Sequence, residues 1–345
     1  MPLERTVLPA PSGSVSSVML SIMTSVEAAP IEPERSELAP GGIVVENVAR
    51  SFGEVHAVRD ASFVATPGTV TGLIGPNGSG KTTLMLMLAS LLQPDAGSIR
   101  IAGHDPVTET AAVRSQLGWM PDVLGSWPTL SVRDTLSYTA RMYAMDKAAA
   151  AARASELIAL VDLTELADSP TRVLSRGQKQ RLSLARALVH DPSVLLLDEP
   201  ASGLDPVARG HLRTLVRRLA SEGKTLLVSS HVLSELDEMA DGAVYLSKGV
   251  TASAEALARS RATARPWRIR SSDVVALRAA LVAEGIEEAA IATDRTELLV
   301  ALEGEAAAST LLARLVGAGI AISTFAPAVG DLEHAFIDLS SEESK

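Results

Sequence analysis

The sequence predicts an α/β chain with two globular parts, on three observations. Between Ile43 and Ser247, short β-branched or Leu-rich runs alternate with helical patterns, as in a mainly parallel sheet covered by helices. Two of those runs, VLLLDE and TLLVSS, are apolar almost throughout, the mark of strands buried on both faces. Beyond Lys248-Gly249 the character changes and a strand-helix-strand-strand-helix-strand order follows. A chain of 345 residues is long enough for two such domains.

Taken in order, residues 1–42 are rich in Pro, Ser and Gly and read as a disordered lead; VMLSIM within them is too short and weakly apolar for a signal peptide. The main domain, 43–255, carries strands at TVTGLIG (69–75), SIRIAG (98–103), SVLLLDE (193–199) and TLLVSS (225–230). Strand signals vanish between about 123 and 189, where three helical segments follow one another, so a helical subdomain is inserted into the sheet domain. ALARSRATARP (256–266) reads as a linker into a C-terminal unit, 265–345. There WRIRS, EAAIAT, ELLVALE and AISTFAP read as strands, with helices at DVVALRAALVAEGI and AAASTLLARLVGAGI: a small α+β, ferredoxin-like βαββαβ domain.

Composition narrows the function. Hydrophobic residues are 47 % of the chain and aromatics 3 %, so aliphatic side chains must fill the core. A net charge of −10 argues against a general nucleic-acid binder, which needs clustered Lys and Arg. The chain has no cysteine, which excludes disulfides and thiolate metal sites. No run approaches the ~20 apolar residues that span a bilayer, so a membrane role requires a partner.

The chemistry starts at Gly75, Pro76, Asn77, Gly78, Ser79, Gly80, Lys81 and Thr82, which fit G-x-x-x-x-G-K-[ST] between a strand and a helix. Glycines let backbone N–H groups curl around phosphates, and the helix that follows points its positive end at them. Lys81 then reaches the β and γ oxygens, Thr82 offers a hydroxyl to Mg²⁺, and Thr83 adds a contact to the α-phosphate. Acids at the carboxyl end of a buried strand emerge into the ligand crevice of a parallel sheet. Asp198 is therefore placed to hold Mg²⁺ through water, and Glu199 to orient and deprotonate an attacking water.

A second turn that opens a helix, LSRGQ at 174–178 ahead of VLLLDEP, resembles the signature motif of ATP-binding cassette (ABC) ATPases. The resemblance covers about 43–247 and implies a P-loop NTPase cassette in which two copies meet head to tail. Each ATP is then sandwiched between one copy's phosphate loop and the signature turn of the other. It implies that Ser175, Gly177 and Gln178 contact a neighbour's ATP, and that Asp205 in ASGLD (201–205) reaches across the dimer. It also implies that His231 hydrogen-bonds the γ-phosphate. Phe52 is either the aromatic that stacks on adenine or a core residue beside the first sheet. Two positions depart from the family pattern. Asp122 in LGWMPD stands where many cassettes have a Mg²⁺-sensing glutamine, which still leaves it a metal contact, and Arg176 replaces a glycine of the signature. Both variants resemble the separate ATPase chains of drug and natural-product exporters. The expectation is an ATP- and Mg²⁺-dependent subunit on the cytoplasmic face of the membrane, coupled to an integral-membrane permease. Trp127 and Pro128 either line the permease groove or lie in the core. The competing reading is a soluble ABC ATPase acting in cofactor assembly or on nucleic acid or ribosomes.

Overall fold

The computed structural model describes residues 41–123, 125, 127–252, 263–330, 332 and 334–337. All but the last two residues of the proposed N-terminal lead, and most of the proposed linker, lie outside these residues.

The first strands are β1 (Ile43–Phe52) and β2 (Val55–Ala65), then β3 (Val70–Ile74), the helix α1 (Lys81–Leu88) and β4 (Ala96–Ile101). After α2 (Thr110–Gln116) and β5 (Leu117–Met120) come three consecutive helices, α3 (Val132–Met142), α4 (Lys147–Leu160) and α5 (Arg176–Ala187). The main domain continues through β6 (Val194–Asp198), α6 (Pro206–Ser221), β7 (Thr225–Ser229), α7 (Leu233–Met239), β8 (Gly242–Ser247) and β9 (Val250–Thr251).

These nine strands form one sheet in the order β4-β1-β2-β9-β8-β3-β7-β6-β5. The expected parallel sheet is only half of it. β8, β3, β7, β6 and β5 pair in parallel, whereas β1 pairs antiparallel with both β2 and β4. The sheet is therefore mixed, because β1 and β2 are joined by the two-residue turn Gly53-Glu54, and so short a connection permits only antiparallel pairing. The uniformly apolar runs behave as read: every residue of β3, β6 and β7 is buried.

Two aliphatic clusters pack against this sheet. One joins Val70, Leu195, Leu197 and Val228 to α6, α7 and the helices α3–α5. The other joins Leu73, Leu196 and Leu227 to Leu84, Met85, Met87 and Leu88 of α1. Burial of each such side chain contributes about 1.5–3 kcal/mol, and the α1 cluster fixes the helix that follows the phosphate loop. Local capping sets where helices begin. Ser131 accepts from the Asp134 N–H, Asp146 from Ala149, and Asp205 from Val207 and Ala208, with Pro206 at the first position of α6.

The second sheet is built by β10 (Ala264–Ser271), β11 (Ala292–Asp294), β12 (Glu297–Glu303) and β13 (Ile322–Pro327), with α8 (Val274–Ala283) and α9 (Gly304–Gly317) between them. Its order is β11-β12-β10-β13 and every pairing is antiparallel. Ile269, Leu277, Leu298, Val300 and Leu315 fill its core. Two expectations need correction here. β10 starts at Ala264, inside the stretch read as linker, because Ala264–Pro266 pair with Ala301–Glu303. EAAIAT is a 3₁₀ turn over Glu288–Ala290 followed by a three-residue strand.

Candidate functional site

Parallel strands put their carboxyl ends on one edge, and three of them meet there. β7 lies between β3 and β6; Ser229 pairs with Leu73 on one side and Asp198 on the other. The phosphate loop leaves β3 at Gly75, so it rises on the same edge as the acidic end of β6, one strand away. Together they bound a cleft of about 640 Å³ lined by Asn77, Gly78, Gly80, Lys81, Thr82, Thr83, Asp122, Asp198 and Glu199, with Val55, His56, Ala57 and Trp119 on its remaining walls.

The loop is held tightly. Gly80 has φ +106°, and a Cβ there would also collide with the Ala57 carbonyl, so only glycine fits. Lys81 Nζ donates to the carbonyls of Gly75 at 2.6 Å and Pro76 at 3.1 Å. Burial pushes its ammonium below the ordinary lysine range, while Glu199 and Asp198 oppose that shift. Ser79 is 3 % exposed, and its N–H donates to the Pro76 carbonyl.

The two acids differ in how they are held. Asp198 is buried and accepts from the Ser229 hydroxyl at 2.5 Å. Burial raises its pKa first; the Ser229 bond lowers it, and the nearby Asp122 carboxylate raises it again. Glu199 is in the left-handed region at φ +52°, unfavourable for a residue with a side chain by roughly 1–2 kcal/mol. Its neighbours hold it there. The Glu199 N–H donates to the Ser229 carbonyl and hydroxyl, and its carbonyl accepts from Gln180 Nε2 at 2.8 Å. Its side chain lies 2.6 Å from His231 Nδ1. Burial raises the Glu199 pKa above the carboxylate range, and the His231 contact pulls it back. Ser229 and Gln180 were not singled out from sequence. The signals were present, a serine ending an apolar strand and a glutamine on the inward face of the signature helix, but each reads equally as ordinary core.

Thr82, Asp122 and Asp198 present oxygen donors to this one cleft. Mg²⁺ takes such donors and keeps several waters, and the repulsion between the two carboxylates is what a cation relieves, so this donor set fits it.

Other expected residues lie elsewhere. Phe52 ends β1 half-exposed, paired in register with the cleft residue Val55, and the Arg50 guanidinium lies 4.9 Å over its ring. Ser175, Gly177 and Gln178 do not line the cleft. Ser175 caps α5, and Gln178 returns the bond to the Ser175 N–H, a complete capping box. Arg176 leaves this turn and donates to the Ser202 hydroxyl at 2.8 Å, with its stem against Gly203. Asp205 spends its carboxylate on the α6 cap, and those backbone bonds hold its pKa low. Trp127 is half-exposed; its carbonyl accepts from Thr171 and its ring lies 5.1 Å from the Arg186 guanidinium. No described helix is long and apolar enough to cross a membrane.

Comparison with known proteins shows the family of the chain. The family model described as ABC transporter matches residues 58–202. The chain is 36 % identical over 260 residues to a Nod factor export ATP-binding protein I of Paraburkholderia xenovorans, covering 74 % of this chain and 83 % of that one. It is 38 % identical over 204 residues to a daunorubicin resistance ATP-binding protein of Streptomyces coeruleorubidus, covering 59 % of this chain and 65 % of that one. A solved ATP-binding subunit of an ABC transporter superposes with a TM-score of 0.58 at 25 % identity, over 63 % of this chain and 92 % of its own.

Proposed function

The chain belongs to the ATP-binding cassette family as one of its ATPases, and on that premise we propose that it powers export through a separate integral-membrane permease. The relatives named for Nod factor export and daunorubicin resistance support the exporter reading. The observation that carries the hydrolytic reading is Glu199, held at both ends in an unfavourable backbone conformation with its carboxylate facing the cleft and His231. Strain held by the surroundings beside a cleft supports a functional role for this residue.

In this reading the triphosphate replaces the Gly75 and Pro76 carbonyls as partner of the Lys81 ammonium, and the backbone N–H groups of the loop and α1 surround its oxygens. Thr82 and Asp198, with Asp122 alongside, would hold Mg²⁺, which would supply neutralisation of phosphate charge. Glu199 takes a proton from water as its oxygen bonds to the γ-phosphorus. The bond from that phosphorus to the β–γ bridging oxygen breaks, and ADP and phosphate leave. The raised Glu199 pKa suits a base at neutral pH better than an ordinary carboxylate does. His231 orients Glu199 and contacts the γ-phosphate, and Phe52 stacks on the adenine.

Ser175, Gly177, Gln178 and Asp205 lie outside the cleft of their own chain, and in this reading they complete that of a second copy, docked head to tail. Trp127 and the Arg186 surface meet the permease, which places the subunit at the cytoplasmic face. The C-terminal unit is a ferredoxin-like domain, a reading supported by its βαββαβ order and its antiparallel β11-β12-β10-β13 sheet. Affinity capture of the full chain from detergent-solubilised membranes tests the function. A polytopic membrane protein that stimulates hydrolysis is the expected partner. Ribosomes, DNA or a soluble scaffold in its place would overturn the exporter reading.

A further inference from the structure

The helix that follows His231 is gripped from behind by the C-terminal end of the chain. α7 starts two residues after His231, and the junction is short and fixed: the Val232 N–H donates to Ser230 Oγ at 3.0 Å, and Ser230 Oγ donates to Glu235 at 3.3 Å. Arg209 of α6 pairs with the same Glu235 at 3.2 Å. Any shift of α7 is therefore transmitted to the backbone that carries His231.

α7 also meets Gly330 and Leu332 through Asp237, and Leu236 and Met239 share a buried cluster with Ala335. Leu332 and 334–337 are helical, and Ala335 is buried in the same cluster as Leu236, Met239 and Tyr245, with Leu332 and Phe336 packed against it. Asp237 caps this turn from outside. Its Oδ1 accepts the Leu332 N–H at 2.8 Å, and the Tyr245 hydroxyl donates to the Leu332 carbonyl at 3.1 Å. Gly330 presses so closely that a Cβ would collide with the Asp237 carboxylate. A carboxylate at the first turn of a helix satisfies an otherwise unpaired N–H and complements the helix dipole. Here that interaction joins two segments far apart in sequence.

We infer that Gly330, Leu332 and the helical residues 334–337 act as a catalytic latch: by holding α7 through Asp237 they set the position of His231 against Glu199, so this part of the chain controls hydrolysis rather than nucleotide binding. Asp237 and Gly330 are positioning residues, since neither lines the nucleotide cleft. The inference rests on the His231–Glu199 pair proposed above.

Steady-state ATPase measurements on the full chain separate the two ideas. Gly330→Ala, whose new methyl meets the Asp237 carboxylate, lowers kcat by about three- to tenfold, the scale for residues acting through a packed network, with KM changed less than about twofold. Asp237→Ala does the same while leaving the Gly330 backbone untouched. Asp237→Asn keeps an oxygen for the Leu332 N–H and restores most of the rate. Added to His231→Ala, which has already lost the group being positioned, Gly330→Ala has little further effect. An equal proportional loss in both backgrounds, a failure of Asp237→Asn to restore kcat, or a loss confined to KM overturns the latch alone. Full activity in His231→Ala by itself overturns the catalytic pair beneath it, and the latch with it.

Discussion

The phosphate loop and the signature turn look alike in sequence and differ in surroundings. Each is a glycine-containing turn that opens a helix whose free N–H groups form an anion site. The phosphate loop sits beside Asp198 and Glu199 in a cleft of about 640 Å³. The signature turn exposes Ser175 and Arg176, is closed on itself by the Ser175–Gln178 capping box, and is braced by Arg176 against Ser202. The first shares its cleft with Asp198 and Glu199; the second opens a helix N-terminus outside that cleft. Two such halves in one chain make sense when each works opposite the other's counterpart.

The sharpest break of this comparison is at the acid. Glu199→Gln retains ATP binding and lowers kcat by at least ~10²-fold, and the variant accumulates as an ATP-bound dimer visible by size-exclusion chromatography. Unimpaired hydrolysis removes the base assignment. The pH profile carries the same information. Burial holds the Glu199 proton more tightly than water does. Activity that needs the carboxylate is therefore gained as pH rises through a value above the usual glutamate range, and Glu199→Gln abolishes that limb.

Next is the loop. Lys81→Ala deprives the triphosphate of a charge-assisted partner and weakens ATP affinity by about ten- to a hundredfold, measured by titration with a fluorescent nucleotide. Ser175→Ala sharpens the contrast, because it leaves ATP binding by the dilute chain unchanged while lowering the concentration-dependent hydrolysis of the dimer. Loss of the cap also reduces stability by about 0.5–2 kcal/mol, to be read by denaturant unfolding. If Ser175→Ala weakens binding in the dilute chain as Lys81→Ala does, the two turns are not halves of separate sites. The smallest effect is expected at Trp127→Ala, which lowers permease-stimulated hydrolysis by more than the basal rate. An equal loss in both counts against a coupling role.

Much of the site was legible because its motifs are local. Gly75 to Thr83 is a contiguous loop whose spacing alone specifies backbone geometry, and Asp198-Glu199 follow an apolar run that announces a buried strand. Ser229 and Gln180 were not legible. Both act on Glu199 across gaps of 30 and 19 residues, and only strand register and helix packing bring them within reach. The fold divided in the same way. VLLLD and TLLVS read as buried strands, whereas β1 and β2 were missed as an antiparallel wing because their burial alternates irregularly, with register shifts along β1.

Residue order by itself determined that this chain binds a nucleoside triphosphate on a strand-loop-helix, and that its core is aliphatic. Those properties depend on neighbours a few positions apart, where periodicity and glycine placement act directly. Tertiary structure alone decided which residues hold Glu199 in its strained conformation, and that Asp237 of α7 receives the helical turn beginning near Leu332. Such contacts join segments far apart in the chain, and their energies exist only once packing has brought buried polar groups face to face away from water.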